Sequence, residues 1–301
     1  MPRDINTPTE ENPVTEYEQW LFDVQGYLHV PGALPQEQVR RMNAAIDEHH
    51  DDIHIRTAEQ SLDGREPRQG GQSAQGLKGT QGRGDFGGYL FWDKPWCDVF
   101  REVIAAPDIL RILLGTIGPR FRLTATAGIT MTKGSEGFIL HGGGTPELEH
   151  MREPFFHRFE DGRMYNGLMS VSYTLTDVEP GDGGFVCIPG SHKANYLCPL
   201  QVRRLEQDPG CVRHIAMKAG DAVIFTEALT HGTIPWQGDS ERRLLRYLYC
   251  PAIHGTHNPQ YTELEKELSE PLQKLMVQPP YHPGEQDIAD LLNVAGCHGV
   301  S

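Results

Sequence analysis

The sequence predicts a mainly β fold, a sandwich or barrel, with helices at both ends. Three observations predict it. Between residues 119 and 255 the runs FRLTATAGITMT, GLMSVSYTLTDV, GGFVCIPGS, VRHIAMKAGDAVIFTEAL and RRLLRYLYCPAI are short, rich in β-branched and aromatic residues, and separated by Gly, Pro and Asp turns. On either side of them apolar residues recur at helical spacing. The chain has 301 residues, 38% of them hydrophobic, which is enough to close one large core.

Taken in order, residues 1–15 combine Pro, Thr, Glu and Asn with little apolar content and read as a disordered tail. Residues 16–301 read as a single domain. Trp20, Leu21 and Val24, then GYLHVPGAL, then PQEQVRRMNAAIDEHH predict a short helix, a strand ending in a turn, and a helix opened by Pro35. Residues 64–88 hold nine glycines without apolar periodicity and predict a long loop, basic through Arg65, Arg68, Lys78 and Arg83. Loops of that length act as lids, substrate contacts or linkers. Trp96–Gly115 is helical around Pro107, with Val99, Val103, Ile104, Leu110 and Leu113 on its apolar face. The helical part therefore runs to about 118, the β core over about 119–255, and helices return over 256–301.

Several function classes are excluded. Lys plus Arg total 27 against 41 Asp plus Glu, and a net charge of -14 repels nucleic acid polymers. The longest apolar neighbourhood, Val103–Ile117, is interrupted by Pro107, Asp108 and Arg111, which predicts no membrane span. The start, MPRDINTPTEENP, lacks the apolar core of a secretion signal, so a cytoplasmic location is expected. Six cysteines without a C-x-x-C pair read as reduced, mostly buried thiols. The oligomeric state is left open.

The chemistry concentrates at the end of the β region. His231 ends an apolar strand, and Arg242 stands eleven residues on, past a turn containing Gly238 and Asp239, at the start of the next. Two antiparallel strands joined this way would set both side chains in one barrel mouth. A neutral imidazole suits iron(II), and a guanidinium suits a dicarboxylate. Arg243 and Arg246 compete with Arg242 for the second role.

The segments LTDVEPGDGGFVCIPGSHKAN (175–195) and AGDAVIFTEALTHGTIPWQGDSERRLLRYLY (219–249), with the opening GYLHVPGAL, resemble the phytanoyl-CoA dioxygenase family of iron(II)- and 2-oxoglutarate-dependent enzymes. The resemblance covers about residues 17–255. It implies a double-stranded β-helix (a cupin-like jelly roll), a catalytic domain, and the cofactors iron(II), 2-oxoglutarate and O2. It further implies that His231 is the distal metal ligand, that Arg242 grips the far carboxylate of 2-oxoglutarate with Thr233 nearby, and that His192 of the PGSH turn is structural. His157, His214, His254 and His257 are not expected to bind metal. Tyr165, Asn166, Tyr173 and Phe225 are candidates for the pocket, with core packing the alternative for the aromatics.

The family's first histidine is followed two residues later by an aspartate, completing a 2-His-1-carboxylate set. Here the segment GFILHGGGTPELEH offers His141 as the second metal ligand and Gly143 where the carboxylate belongs. A literal His-x-Asp, His49-His50-Asp51, lies in a polar helix before the β region and reads as a decoy. Three explanations stand. Halogenase-type relatives carry Gly or Ala at this position and bind chloride there, and His141-Gly142-Gly143 resembles that pattern. Alternatively Glu147, Glu149 or Asp161 folds back to the metal and the enzyme is a hydroxylase. In the third, metal chemistry is lost and a non-catalytic cupin-like binding module remains. The first leads, because a bare glycine leaves a halide-sized space without a chain reversal. It implies chlorination of an unactivated C–H bond in secondary metabolism. The substrate is expected to be a small, phosphorylated, nucleotide-like metabolite, held by Arg65, Arg68, Lys78, Arg83 and Lys193, for which solvated surface is the alternative.

Overall fold

A computed structural model describes residues 14–63, 74–142, 155–255, 258–279 and residue 288. The first helix, α1 (Glu16–Gln25), starts at Thr15, whose hydroxyl accepts from the Glu18 amide while the Glu18 carboxylate accepts from the Thr15 amide, and it ends at Gly26 with φ 82°. β1 (Tyr27–Val30) follows, then α2 (Gln36–Glu48) behind Pro35. Two short strands, β2 (His54–Ile55) and β3 (Gly84–Phe86), precede the helices α3 (Asp98–Arg101) and α4 (Pro107–Thr116). The Glu18 carboxylate takes two bonds from Arg111, at 2.7 and 2.8 Å, and ties α1 to α4.

The β core consists of β4 (Phe121–Met131), β5 (Phe138–His141), β6 (His157–Glu160), β7 (Arg163–Asn166), β8 (Met169–Thr174), β9 (Gly184–Cys187), β10 (Arg213–His214), β11 (Ala222–Thr226), β12 (His231–Ile234) and β13 (Arg242–Pro251). The turn α5 (Leu200–Arg203) interrupts it, and α6 (Pro259–Glu267) and α7 (Pro271–Val277) follow. Among the described residues one sheet runs β1-β11-β8-β13-β4-β3-β2 and a second β10-β9-β12-β5, with β6 and β7 as a separate hairpin. The two larger sheets form a double-stranded β-helix, a jelly roll.

The large sheet is buried on both faces, so its strands alternate between two cores. Val171 and Tyr173 of β8, Ile224 of β11, and Leu245, Tyr247 and Tyr249 of β13 face the helices. The hydroxyls of Tyr247 and Tyr249 donate to the carbonyls of Phe100 and Ile104, each at 2.8 Å, so their burial leaves no polar atom stranded. The opposite face, between the sheets, holds Val223 and Phe225 with Phe185 and Cys187 of β9, and Met131 with Trp236 and Leu244. The GD turn of 220–221 braces one edge: Asp221 accepts from His29 Nε2 at 2.8 Å and from the amides of Gly32 and Lys218, each at 2.9 Å.

Three expectations need correction. Residues 64–88 are not one continuous loop, because Gly84–Phe86 pairs with β4 and Phe86 packs over Gly128. Besides the expected strand β1, the region before 118 contributes two further strands, β2 and β3, to the large sheet. His231 and Arg242 do not share a hairpin: β12 lies in the small sheet and β13 in the large one. The chain crosses between the sheets at Trp236, which is fully buried and donates its indole N–H to the Ser240 carbonyl.

Cys97, Cys187 and Cys250 are buried free thiols, whereas Cys198 is half-buried and Cys211 exposed; Cys297 lies outside the described residues. No described helix is long and apolar enough to cross a membrane. A side chain at Gly128 would run into the Phe86 ring, so Gly128→Val should destabilise the protein by about 1–3 kcal/mol, read as a lower urea midpoint with unchanged slope.

Candidate metal centre

His141 closes β5 and His231 opens β12; they are directly paired across the two antiparallel strands, with ring centroids 4.3 Å apart. His141 Nδ1–H donates to the Ile139 carbonyl at 3.0 Å, and His231 Nδ1–H to the Leu229 carbonyl at 2.7 Å. A neutral imidazole that donates from Nδ1 keeps its lone pair on Nε2, the form that binds metal. Phe138 stacks on His141 at 4.2 Å and Phe225 sits 4.6 Å from His231, which fixes both ring planes.

The backbone around them is equally constrained. Gly142 has φ 149°, and a Cβ there would strike the Leu229 carbonyl, the same group that accepts from His231. The PGSH turn braces the other histidine: Ser191 Oγ accepts from the Thr230 amide at 2.7 Å, and the Ile188 amide donates to the Thr230 carbonyl at 2.9 Å. His192 of that turn contacts the Asp23 carbonyl through Nε2 at 3.1 Å.

A third donor group converges here that the sequence reading missed. His141, Glu227 and His231 each offer one ligand atom, and these atoms lie within 4.8 Å of one another. Thr226–Leu229 forms a turn closed by the Leu229 amide on the Thr226 carbonyl at 2.9 Å, and Glu227 stands in it. The signal was present in FTEALTH: an acidic residue leaving an apolar strand, four residues before a candidate ligand.

Burial pulls His141 down to about 3, reinforced by the neighbouring His231, and burial also lowers His231. For Glu227 burial acts in the opposite direction, but His231, Arg246, His141 and the Ser170 hydroxyl outweigh it and bring the carboxyl down to about 2. Near neutral pH the cluster is two neutral imidazoles and one carboxylate, the protonation state that a divalent first-row metal requires.

Arg242 is 1% exposed and reaches across the sandwich to Gly184, where a Cβ would crowd the guanidinium. Among the described residues its Nη1 contacts only the Met131 sulfur, at 3.3 Å, and its buried Nε has no partner. Burial, with Arg83 nearby, lowers it to about 10, so it stays charged. A buried unpaired cation costs several kcal/mol, and a carboxylate ligand would supply the partner. Its competitors are engaged elsewhere: Arg243 pairs with Asp47 and Glu241, each at 2.6 Å, and Arg246 with Glu227 at 2.7 Å. Thr233 lies two residues from His231 on the same strand and so shares its face.

The remaining candidates separate. Gly143, Glu147, Glu149, Arg65, Arg68 and His257 lie outside the described residues. Asp161 is exposed in the β6–β7 turn and is not in the cluster, so it does not fold back to a metal there. Lys78 is exposed, and Lys193 pairs with Asp23 at 3.1 Å, which satisfies its charge without an anion. Arg83, just before β3, is buried rather than exposed; it bonds Asp85 at 2.9 Å and lies over the Phe138 ring at 5.2 Å. His49 caps α2 and stacks on Trp92. His157 bonds Asn166, His214 the Gly183 carbonyl, and His254 faces Phe156. Of the pocket candidates Phe225 lies in the sandwich, Tyr173 faces the helical core, Asn166 donates to the Thr116 carbonyl, and Tyr165 is exposed.

The lowered groups set a pH dependence. Below about pH 6.5 the unfolded chain protonates histidines that stay neutral in the fold (His141, His231, His192 at about 4), and lower still it protonates a carboxylate that the fold keeps ionised. Stability is therefore complete above the ordinary histidine value and is lost as pH falls toward the folded values. The urea midpoint of metal-free protein should drop steadily from about pH 7 to about pH 4; a flat midpoint would contradict the assigned protonation states.

Comparison with known proteins agrees with this architecture. Residues 22–244 match the family model described as phytanoyl-CoA dioxygenase. Among solved structures, HygX from Streptomyces hygroscopicus, determined with nickel, 2-oxoglutarate and hygromycin B, is 20% identical with a TM-score of 0.63, over 81% of this chain and 90% of that one. The non-heme alpha ketoglutarate dependent carbocyclase SnoK from nogalamycin biosynthesis is 18% identical (TM-score 0.57, 87% and 94% covered). The epimerase SnoN, in complex with Fe3+, alpha ketoglutarate and nogalamycin RO, is 16% identical (0.54, 79% and 83%). No curated protein matches the chain. With the matched segment spanning most of the sequence, from α1 into β13, the chain belongs to the phytanoyl-CoA dioxygenase family.

Proposed function

We propose that this chain is an iron(II)- and 2-oxoglutarate-dependent oxygenase-type enzyme acting on a C–H bond of a small molecule. One observation carries the reading: two imidazoles with Nε2 left free by their Nδ1 bonds share a sandwich with a buried guanidinium that has no acidic partner among the described residues. His141 and His231 would hold the metal, and Arg242 would take the distal carboxylate of 2-oxoglutarate, with Thr233 alongside. Iron(II) with 2-oxoglutarate supplies O2 activation, coupling loss of CO2 and formation of succinate to attack on the substrate. The protein's own part is to keep both imidazoles neutral, fix their planes with Phe138 and Phe225, and exclude water from Arg242, so that a dicarboxylate binds by charge-assisted bonds in a dry site. Solved structures of similar fold include an enzyme described as a carbocyclase and one described as an epimerase, which supports a reading in which the oxidant is shared and the product varies.

Two outcomes share this machinery. Gly143 supports the halogenase, with chloride where the family has a carboxylate. Glu227 supports hydroxylation, and the geometry favours it, because a carboxylate already stands beside both imidazoles. The basic groups expected to bind a phosphorylated, nucleotide-like substrate lend less support than their sequence did, since Arg83 and Lys193 are paired internally.

Incubation with iron(II), 2-oxoglutarate and O2 should release succinate, whereas a non-catalytic binding module would release none. His141→Ala and His231→Ala should each abolish that release, and His49→Ala should leave it nearly unchanged. Turnover at the wild-type rate by either ligand variant would reject the metal assignment. Arg242→Ala should raise the 2-oxoglutarate requirement about tenfold to a hundredfold, the loss of roughly 1.5–3 kcal/mol from a charge-assisted contact. The same effect from Arg243→Ala in place of Arg242→Ala would shift the assignment by one residue.

A further inference from the structure

We propose that Glu227 is the carboxylate ligand of the metal centre, transferred from the family's position two residues after the first histidine to the turn before the second. The inference rests on the iron and 2-oxoglutarate reading above and deepens it.

His231 uses its Nδ1–H on the Leu229 carbonyl, so its Nε2 presents a lone pair, and the nearest charged atom is Glu227 Oε2 at 3.5 Å. That separation is longer than an N–H···O bond, and an imidazolium paired with a carboxylate would close to about 2.7–2.9 Å. His141 Nε2 completes a set of three acceptors converging on one point, with no donor among them. Acceptors that face one another at this range repel unless a cation lies between them. Two imidazole nitrogens and one carboxylate oxygen form the donor set of a non-heme iron(II) site.

The other carboxylate oxygen is held as a ligating carboxylate's outer oxygen should be. Glu227 Oε1 accepts from Arg246 Nη2 at 2.7 Å and from the Ser170 hydroxyl, and Arg246 Nη2 also contacts Ser170 Oγ at 3.0 Å. Both supports come from the interior face of the large sheet, Ser170 from β8 and Arg246 from β13, and they leave Oε2 directed at the histidines. The Glu227 amide bonds the Leu168 carbonyl at 2.9 Å, so the backbone is anchored as well. This explains how a chain with glycine at position 143 keeps a full donor set. It also removes the need for a halide in that set, which directs the reaction toward hydroxylation or rearrangement and away from chlorination.

The test uses Co(II) as the probe, with affinity read by calorimetry and the ligand field by visible absorption. Wild-type protein should bind Co(II) with a spectrum that chloride does not change. Glu227→Gln, which keeps an acceptor for Arg246 and Ser170, should weaken Co(II) binding by more than about a hundredfold, beyond the ~10–100-fold typical of a residue that only supports a ligand, and should alter the spectrum. Glu227→Ala should bind weakly and acquire a chloride-dependent spectrum. If the wild-type spectrum shifts with chloride, or if Glu227→Gln keeps the wild-type spectrum whatever its affinity, the assignment of Glu227 is overturned. The wild-type chloride titration decides the matter even where a variant fails to fold. Failure of the underlying reading looks different: wild-type protein would then bind no Co(II), or His231→Ala would bind it as tightly as wild type.

Discussion

The interior of the sandwich contains charge and lone pairs that the protein does not itself neutralise, and the rest of the structure is arranged to tolerate this. Among the described residues Arg242 is buried without an acid, and three acceptors meet a few ångströms apart. Either feature alone would favour local opening, because a stranded charge or acceptor regains water when the strands separate. The large sheet resists that opening by being buried on both faces. The strand that carries Arg242 and Arg246 inward carries Tyr247 and Tyr249 outward, with their hydroxyls satisfied on α3 and on the turn that follows it. Stability gained on the helix side holds the site side in a conformation that becomes favourable when its ligands arrive, which then add their own binding free energy to the native state.

The architecture was legible in the sequence because strand periodicity and helix capping are local signals. The five β runs, α1 and the strand after it, and the helix pair around Pro107 all occur where the pattern indicates. What was not legible was which strands pair. Nothing in TIPWQGDSERR indicates that the chain changes sheets; that follows from Trp236 being drawn into the core between them, a contact with residues about a hundred positions earlier in β4. Treating the segment as a hairpin was therefore sound local reasoning defeated by a nonlocal apolar contact. Strand β3 was missed for a related reason. Glycines at 84, 87 and 88 read as loop, yet a glycine at 128 on the partner strand makes room for Phe86, and the pairing becomes visible only when the two are brought together.

The candidate site divides along the same line. His141, His231 and Arg242 stand out as candidates because each belongs to a motif with fixed spacing; that spacing prefers Arg242, and the acid partners of Arg243 and Arg246 add support for it. Glu227 was overlooked because the search for a carboxylate ran forward from His141, where the family keeps it. In space the relevant neighbours of His141 are those of His231, its cross-strand partner. A residue four positions before His231 thus reaches the same centre as His141.

That equivalence carries a more general consequence for this fold. A cross-strand histidine pair is approached by two chain segments, and the one entering the second histidine, here the Thr226–Leu229 turn, presents a side chain beside both imidazoles. Losing the carboxylate from one turn opens a coordination position only if the other turn is silent. Here the entering turn holds a glutamate braced by Ser170 and Arg246, while the residue beside His141, Gly142, is compressed against the Leu229 carbonyl, which itself orients His231. The crowding that demands glycine after His141 arises from the turn that delivers Glu227, so the glycine-rich exit of β5 and the acidic entry to β12 are two sides of one packing arrangement. A bare glycine after a metal histidine is therefore insufficient evidence for a halide site until the turn across the strand pair has been inspected for a carboxylate.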